Sequence, residues 1–404
     1  MSYDLTVFGE RSLSRAELIQ IVRAGADMDV VDSAEQGITV VRGKRASYCF
    51  TVDGPFDVEP EDVPEELALV AIGITVMYQV LVEGGAAVSI PHAVRFSKRL
   101  AASVNGAMLD QQSDAIWAGK ANRTVPRPKG NERIDLIEMT WHFLPGVTDL
   151  ASLYLTTARK YLPEALPRRF GEFEPLQSKL ETAGDSGFRG AADRSKGLLF
   201  WKGTFPVIDG NLATRHWDGS LRSLPTFGLS LERSAFEEPK WRNALRALFV
   251  EFGREGRAYF ASAEVIRNIG WGGRSVWYDG KEENSYALIR YKEGWMGLPP
   301  HPVWWTLFGR EYAALVAPHI ASESDLPDDE TIFHAWSDAP LDRDALTAML
   351  PKTGFFKRAR SPWLPEELTS TQLPFTPGHY PRPLAKASVI PESIRRASAS
   401  DTSA

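Results

Sequence analysis

The sequence predicts an α+β protein made of two similar halves, each a mainly antiparallel sheet with amphipathic helices packed on one face. Short runs show the two-residue alternation of half-buried strands, and other segments repeat apolar residues every three or four positions, as helices do. The order strand, turn, amphipathic helix, strand also occurs four times, starting near residues 3, 74, 134 and 226. No residue-level identity links these copies, so they indicate a repeated layout and do not prove a duplication.

The length of 404 residues predicts two domains, because single hydrophobic cores stop growing at about 250–300 residues. The segment AGKANRTVPRPKGNER is polar, contains two prolines and lacks periodicity, which is typical of a linker. Near the C-terminus the composition turns to Pro, Ser, Arg and Ala, which favours disorder. We therefore expect an N-terminal α+β domain over 1–118, a linker over 119–133, an aromatic-rich C-terminal α+β domain over 134–373 and an extended or disordered tail over 374–404.

In the N-terminal domain, the first strand is predicted over 3–8, and Ser14 with Glu17 forms a capping box at the start of the first helix. That helix ends at Gly25. The remaining elements are predicted as strands at 28–31, 37–41, 47–52 and 74–82, a helix at 90–104 and strands at 107–109 and 115–117.

The C-terminal domain repeats the pattern with a strand over 134–143 and a helix over 149–161. A proline-rich segment follows, and then a glycine-rich charged loop over 182–197. The remaining elements are predicted as strands at 198–208 and 226–232, a helix at 239–252, a strand at 258–265, a helix at 302–316, a strand at 331–336 and a helix at 342–350 that Asp342 caps.

Composition excludes several classes of function. A net charge of −6 argues against a surface dominated by nucleic-acid binding. No apolar run approaches the roughly 18 residues of a membrane span, and no targeting segment stands at the N-terminus. The one cysteine, Cys49, cannot form an internal disulfide. We expect a cytoplasmic protein with no membrane or nucleic-acid partner.

The stretch Tyr161–Gln177, which we call the strap, reads YLPEALPRRFGEFEPLQ. Its three prolines fix φ and remove backbone donors, so an ordered, non-regular connection is predicted. Arg168, Arg169, Glu172 and Glu174 lie between these prolines, and charges on a stiff loop are candidates for binding. A purely structural strap, with its charges paired to one another or to helix ends, is the favoured alternative.

Aromatic residues supply the second candidate. Trp271, Trp277, Tyr278 and Trp295 stand among glycines and charged residues, a pattern that suits either a contact surface or a core. Arg274 lies in the same segment. Together with Arg168 and Arg169 it would form a cationic site beside aromatic walls, suited to a carboxylate, a phosphate or an acidic surface.

Other patterns point to no chemistry. Gly184–Gly187 matches the short signature around the nucleophile of trypsin-like proteases, but a turn in a charged loop is favoured. The histidines occur singly, without the spacing of a metal site, so no metal and no cofactor are expected. The acidic run 325–330 is typical of a solvated loop, although it would also suit a basic partner. We predict no catalytic residues.

The segment 297–319 reads GLPPHPVWWTLFGREYAALVAPH, with Trp-Thr-Leu-Phe-Gly at 305–309 and Tyr312 three residues further on. It resembles a segment of the bacterial α+β immunity proteins that accompany polymorphic and type VI-delivered toxins. An Arg-X-X-Trp at 274–277 is similar too, and the resemblance covers about 134–350. It implies a protein that binds and blocks a toxin, with no catalytic set to carry over.

Three hypotheses follow. The first is a cytoplasmic binding protein of the immunity type, whose partner is a protein toxin. The second is an enzyme, a hydrolase or transferase, that acts on an anionic small molecule held by Arg168, Arg169 and Arg274, with Glu172 or Glu174 as acid or base. The third is a purely structural protein.

Overall fold

A computed structural model describes residues 2–31, 37–113, 115–119, 121–123, 133–146, 149–215, 221–271, 276–277, 280–283, 290–291, 294–295, 297–320, 331–350, 364, 368–369 and 390–401. The chain divides into two compact units. The first unit is Met1–Glu132 with Trp271–Trp277, and the second unit is Arg133–Gly270 with Tyr278–Ala404.

The first unit contains an eight-stranded antiparallel sheet, with its two longer helices on one face and a short helix against the other. The elements up to Glu132 are β1 (Tyr3–Gly9), α1 (Arg15–Arg23), β2 (Met28–Val31), β3 (Gly37–Arg42), β4 (Ser47–Asp57), α2 (Glu65–Ala68), β5 (Val76–Val82), α3 (Ile90–Ser103), β6 (Ala107–Asp110), β7 (Ala115–Ala118) and β8 (Ala121–Arg123). The strand order is β2-β3-β4-β5-β1-β6-β7-β8. Its core includes Leu5 and Val7 of β1, Tyr78 of β5, and Phe96 and Leu100 of α3.

A larger antiparallel sheet forms the second unit. The elements after Glu132 are β9 (Arg133–Phe143), α4 (Leu150–Tyr161), β10 (Arg169–Gly171), β11 (Ser178–Lys179), α5 (Leu180–Arg194), β12 (Leu199–Lys202), β13 (Val207–Arg215), β14 (Leu221–Glu232), α6 (Pro239–Glu255), β15 (Ala258–Trp271), β16 (Val276–Trp277), β17 (Arg290–Tyr291), β18 (Gly294–Trp295), β19 (Trp305–Phe308), α7 (Arg310–Val316), β20 (Ile332–Ala335), α8 (Arg343–Met349) and α9 (Glu392–Asp401). The main sheet runs β11-β10-β12-β13-β14-β9-β15-β19-β20.

The two sheets share one connectivity. In each, the first strand along the chain, β1 or β9, lies inside the sheet, between the strand that precedes α3 or α6 and the strand that follows that helix. The eight strands of the first sheet correspond, in spatial order, to eight strands of the larger sheet. Their order β2-β3-β4-β5-β1-β6-β7-β8 corresponds to β10-β12-β13-β14-β9-β15-β19-β20. The predicted α+β class with two similar halves is confirmed.

Two helices begin at the polar caps that the sequence predicts, Ser14 and Asp342. The Ser14 hydroxyl accepts from the Glu17 N–H at 3.3 Å, and the Glu17 carboxylate accepts from the Ser14 N–H at 2.8 Å, which completes the capping box. Asp149 caps α4 by accepting from the Ser152 N–H, and Asp342 caps α8 in the same way. Among the described helices, none combines the length and apolarity that crossing a membrane requires.

The core of the second unit lies between the sheet and the helices. Strand alternation points Ile137, Met139, Trp141 and Phe143 of β9 into this core. The Trp141 ring lies 5.3 Å from the Phe252 ring of α6, between ring centroids. We call this side of the sheet the helix-covered face, and the opposite side, to which Leu136, Glu138, Thr140 and His142 point, the second face.

One predicted helix is wrong in its first half. Residues 302–316 were expected to be helical throughout, but Trp305–Phe308 form β19, and only Arg310–Val316 form a helix. All four residues of β19 are buried because β15 and β20 flank the strand and both of its faces are covered. A continuous apolar run of this kind fits a buried strand and a buried helix equally well.

Three further segments differ from expectation or lie outside the description. Gly184–Gly187 was expected in a loop but lies within α5, where Gly184 has φ 65° and interrupts the regular helix. The tail was expected to be extended or disordered, yet α9 is helical and buries Ile394. The acidic run 325–330 lies outside the described residues.

Replacing Ser14 by Ala removes the hydroxyl that accepts from the first turn of α1. We expect a loss of about 1 kcal/mol in the free energy of unfolding, measured by urea denaturation. Ser12→Ala, a substitution at an exposed position just before the cap, is the matched control. Equal stability of the two variants would contradict the assigned cap.

Candidate functional site

The strap is held in place from inside by Arg169. This residue lies in β10 and is only 1% exposed. Its Nη2 donates a hydrogen bond to the main-chain carbonyl of Leu176, so the guanidinium fastens the end of the strap to its middle. Arg169 therefore has the structural role that was the alternative reading of this segment.

The other predicted site residues occupy different surroundings. Arg168 is half-buried, and its N–H donates to the Lys202 carbonyl at 2.8 Å. Glu172 accepts from the Lys196 N–H at 2.9 Å. Glu174 is exposed, and its Oε1 lies 3.3 Å from Lys202 Nζ. The last four residues are in the 271–278 segment, where Trp271 is half-buried, Arg274 and Tyr278 lie outside the described residues, and only the backbone of Trp277 is described.

Three tryptophans of the aromatic region, Trp295, Trp304 and Trp305, lie in the interior. Trp295 is buried, its ring centroid is 4.7 Å from that of Tyr259, and its indole N–H donates to the Tyr312 hydroxyl at 2.6 Å. Trp304 and Trp305 stack at 3.8 Å between centroids, and both are buried. The grouping of Arg168, Arg169 and Arg274 beside aromatic walls stays a prediction, since Arg274 is not described.

The second face carries a line of polar side chains that crosses five neighbouring strands. Backbone pairing places Lys202 opposite Asp209, Asp209 opposite Ser230, Ser230 opposite Glu138, and Glu138 opposite Glu264. Cross-strand partners on one face lie about 4.5–5.5 Å apart, so these five side chains form one continuous row, which we call the polar row.

Direct contacts join the row and connect it to the strap. Lys202 Nζ lies 3.8 Å from Asp209 Oδ2 as well as 3.3 Å from Glu174 Oε1. The Ser230 hydroxyl donates to Glu138 Oε2 at 3.2 Å. Of the predicted strap residues, Glu174 contacts the row through its side chain, and Arg169 is the cross-strand partner of Lys202 at the outer end of the row.

Exposure falls from the strap toward the far end of the row. The side chain of Glu174 is 68% exposed, and those of Asp209 and Lys202 are 30% and 23% exposed. Ser230 and Glu264 are buried. The row is therefore accessible at the strap and recessed at Glu264.

Burial changes the protonation of the row. Burial raises the pKa of Glu138 to about 8, the negative charges of Asp209 and Glu264 add to this effect, and the hydrogen bond from Ser230 opposes it. Burial also raises the pKa of Asp209, against the attraction of Lys202. At neutral pH most molecules thus carry a proton on Glu138, next to groups that would accept hydrogen bonds from a cation.

A second line of polar groups adjoins the polar row. Thr140 pairs with Ser262, and Ser262 pairs with Thr306. Ser262 and Thr306 are fully buried, and in the part of the chain that the structure describes neither hydroxyl has a hydrogen-bond partner. Buried polar groups without partners are rare in folded proteins, so these two mark an unusual place.

The arrangement suits charge recognition. It offers three carboxyl groups and several hydroxyls against one lysine, on strands that hold them in fixed register. Among the described residues, no group of three or more His, Cys, Asp or Glu side chains is placed to hold a metal ion. The carboxyl and hydroxyl groups of the row can accept hydrogen bonds, and its carboxylates can form an ion pair with a basic group.

Sequence reasoning missed the polar row because its members are distant along the chain. Residues 138, 202, 209, 230 and 264 form no motif, and only strand pairing brings them together. A usable signal does exist. Glu138 and Glu264 are single carboxylates inside strongly apolar strands, LIEMTW and ASAEVI, and a charge in such a run needs an explanation.

Comparison with known proteins gives little. No protein-family model matches the chain, and no curated protein matches it. Among solved structures, it is similar to a T6SS protein of Pseudomonas aeruginosa at 14% identity, covering 52% of this chain and 70% of that one, with a TM-score of 0.35. A likeness at this level carries no argument about function.

Replacing Glu138 by Gln should make stability less sensitive to pH. In the unfolded wild type, Glu138 loses its proton near pH 4.5, whereas in the folded protein it keeps the proton to about pH 8. Folding therefore becomes less favourable as the pH rises between these values, by on the order of 3–4 kcal/mol relative to the Gln variant. Above about pH 8 the difference is constant.

Urea denaturation of both proteins at several pH values from about 5 to 9 measures this difference. Glu181→Gln, at an exposed position in α5, is the control and should follow the wild type. Parallel stability profiles for the wild type and Glu138→Gln would show that the carboxyl is solvated and that its pKa is ordinary.

Proposed function

We propose that this chain is a cytoplasmic binding protein of the immunity type, which binds and neutralises a protein toxin. The polar row is the observation that carries the proposal. It lies on the face of the larger sheet opposite the core helices, it is accessible at the strap, and its charges are mainly negative.

Electrostatics favour a basic partner. The row and Glu174 together present four carboxyl groups and one lysine, and the whole chain has a net charge of −6. Complementary potentials speed the encounter of two proteins and disfavour wrong partners. A toxin that depends on basic side chains would be blocked when those side chains are held in the row.

The segment that resembles immunity proteins lies in the interior and does not form the binding surface. Its motif runs through β19 and α7, where Trp305, Leu307, Phe308 and Tyr312 are all buried. Such residues determine how the sheet and helices pack. Recognition must therefore use other positions, and the polar row supplies them.

A second candidate function is favoured by one observation. Glu138 keeps a proton near neutral pH, and carboxyl groups with separated pKa values are the usual pairing in acid–base enzymes. The substrate expected from the sequence was anionic, however, and the row would repel an anion. Arg169, which was to hold that anion, is buried against the Leu176 carbonyl.

Growth rescue tests the proposal. The protein encoded by the reading frame next to this one is expressed in a bacterial host, alone and together with the full chain. We expect it to stop growth alone and growth to recover with the chain, with a stable complex seen by size-exclusion chromatography. Absence of binding between the purified proteins would overturn the proposal, as would turnover of a small molecule by the chain alone.

Two charge-removing variants test whether the partner binds at the polar row. Because Asp209 is an accessible acid of the row, Asp209→Asn should weaken the complex about tenfold, the usual loss for one charged hydrogen bond, as measured by calorimetry. Glu181→Gln, which removes the same charge from the exposed surface of α5, should leave affinity unchanged. Equal losses in both variants would indicate that net charge alone governs binding.

A further inference from the structure

We propose that the polar row is a recessed site for one arginine side chain of the partner, whose guanidinium donates hydrogen bonds to Asp209, Ser230 and Glu138. This inference rests on the proposed function and specifies which chemical group the partner contributes. The order of the acceptors, the lysine at the outer end of the row and the chemistry of the two possible cations favour this site.

The acceptors are arranged along a line that a planar cation can follow. Asp209 and Glu138 are the cross-strand neighbours of Ser230 on its two sides, so a group placed above Ser230 lies between two carboxyls. A guanidinium carries five N–H donors in one plane and can donate in opposite directions at once. The register of three strands therefore matches the geometry of the ligand.

Two buried hydroxyls lie beyond the inner acceptors of the row. Ser262 is two residues from Glu264 on β15, so it projects from the same face and lies diagonally across from Glu138. Thr306 is the cross-strand partner of Ser262. Both are fully buried, and among the described residues neither hydroxyl has a hydrogen-bond partner. They lie two and three strands from Ser230, so they border the inner end of the row and do not contact a guanidinium placed above Ser230.

The outer end of the row already holds a cation. Lys202 lies within ion-pair distance of Asp209 and Glu174, so the described structure shows that a positive group is accommodated next to this row. Asp209 faces Lys202 on one side and Ser230 on the other. A second cation would enter past the exposed Glu174 and lie farther inward, between Asp209 and Glu138.

Arginine suits this position better than lysine. A partly buried ammonium loses its proton readily, whereas a guanidinium stays charged at all relevant pH values. Lysine also lacks the planar fork that reaches two carboxyls together. When the guanidinium enters, the proton on Glu138 becomes unfavourable and leaves, so binding near neutral pH should release a proton to solvent.

Three matched peptides test the inference on the full-length protein. They are acetyl-Gly-X-Gly-amide with arginine, citrulline or lysine at X, and binding is followed by NMR of ¹³C-labelled Asp and Glu carboxyl carbons. We expect the arginine peptide to shift the carboxyl signals of Glu138 and Asp209. The citrulline peptide, which has the same shape without the charge, should bind at least about tenfold more weakly.

Variants and buffers complete the test. Asp209→Asn and Glu138→Gln should each weaken the arginine peptide about tenfold, and Glu181→Gln should not. Calorimetry in two buffers of different ionisation enthalpy should detect proton release near neutral pH with the wild type and none with Glu138→Gln. No shift with the arginine peptide, equal binding of citrulline, or equal binding of lysine would each overturn the inference.

The two proposals fail in different ways. If the neighbouring gene product binds the wild type and Asp209→Asn equally well, the arginine site is wrong and the binding function stands. If the arginine peptide occupies the row but the neighbouring gene product neither binds nor inhibits growth, the site stands and the immunity function is wrong.

Discussion

The second unit depends on the alternation of side chains along β9. This strand lies between β14 and β15, and its residues 136–142 are paired in register on both sides. Ile137, Met139 and Trp141 enter the core, and because successive side chains point to opposite faces, Glu138 and Thr140 must lie on the second face. A slip of one residue would bury the polar set among the helices, so the core alone determines where the acids stand.

Strand register explains why the pKa of one carboxyl group, that of Glu138, is raised. Glu138 is placed beside Ser230 and Glu264 by pairing that the apolar face selects. Its surroundings are poor in water and rich in negative charge, and both raise its pKa. Burying such groups lowers the stability of the fold, because a neutral apolar residue would pack there without loss. Perturbed carboxyls of this kind are concentrated at functional sites in proteins.

Much of this architecture is visible in the sequence, and the candidate site is not. The capping box at Ser14, the cap at Asp342 and the strand at 28–31 follow from local patterns and are confirmed. β19 was predicted as a helix because a run buried on both faces has no period that distinguishes the two. The polar row could not be predicted because its members come from five strands, and their proximity depends on pairing between segments up to 126 positions apart, from 138 to 264. Arg169 was predicted from its charge to bind a ligand, but in the structure its guanidinium donates a hydrogen bond to the main-chain carbonyl of Leu176.

The shared connectivity of the two sheets has a consequence for how such proteins change. In the first unit, Thr6 of β1 is flanked by Gln79 and Leu109 on the face away from α1 and α3. Uncharged residues therefore stand on β1 and β6 where β9 and β15 carry Glu138 and Glu264, although Asp53 follows Gln79 on β4 as Asp209 follows Ser230 on β13. The strand order is nevertheless the same in both sheets. The outward positions of these strands can therefore be rewritten, by evolution or by a protein engineer, while the packing that establishes the topology is left alone.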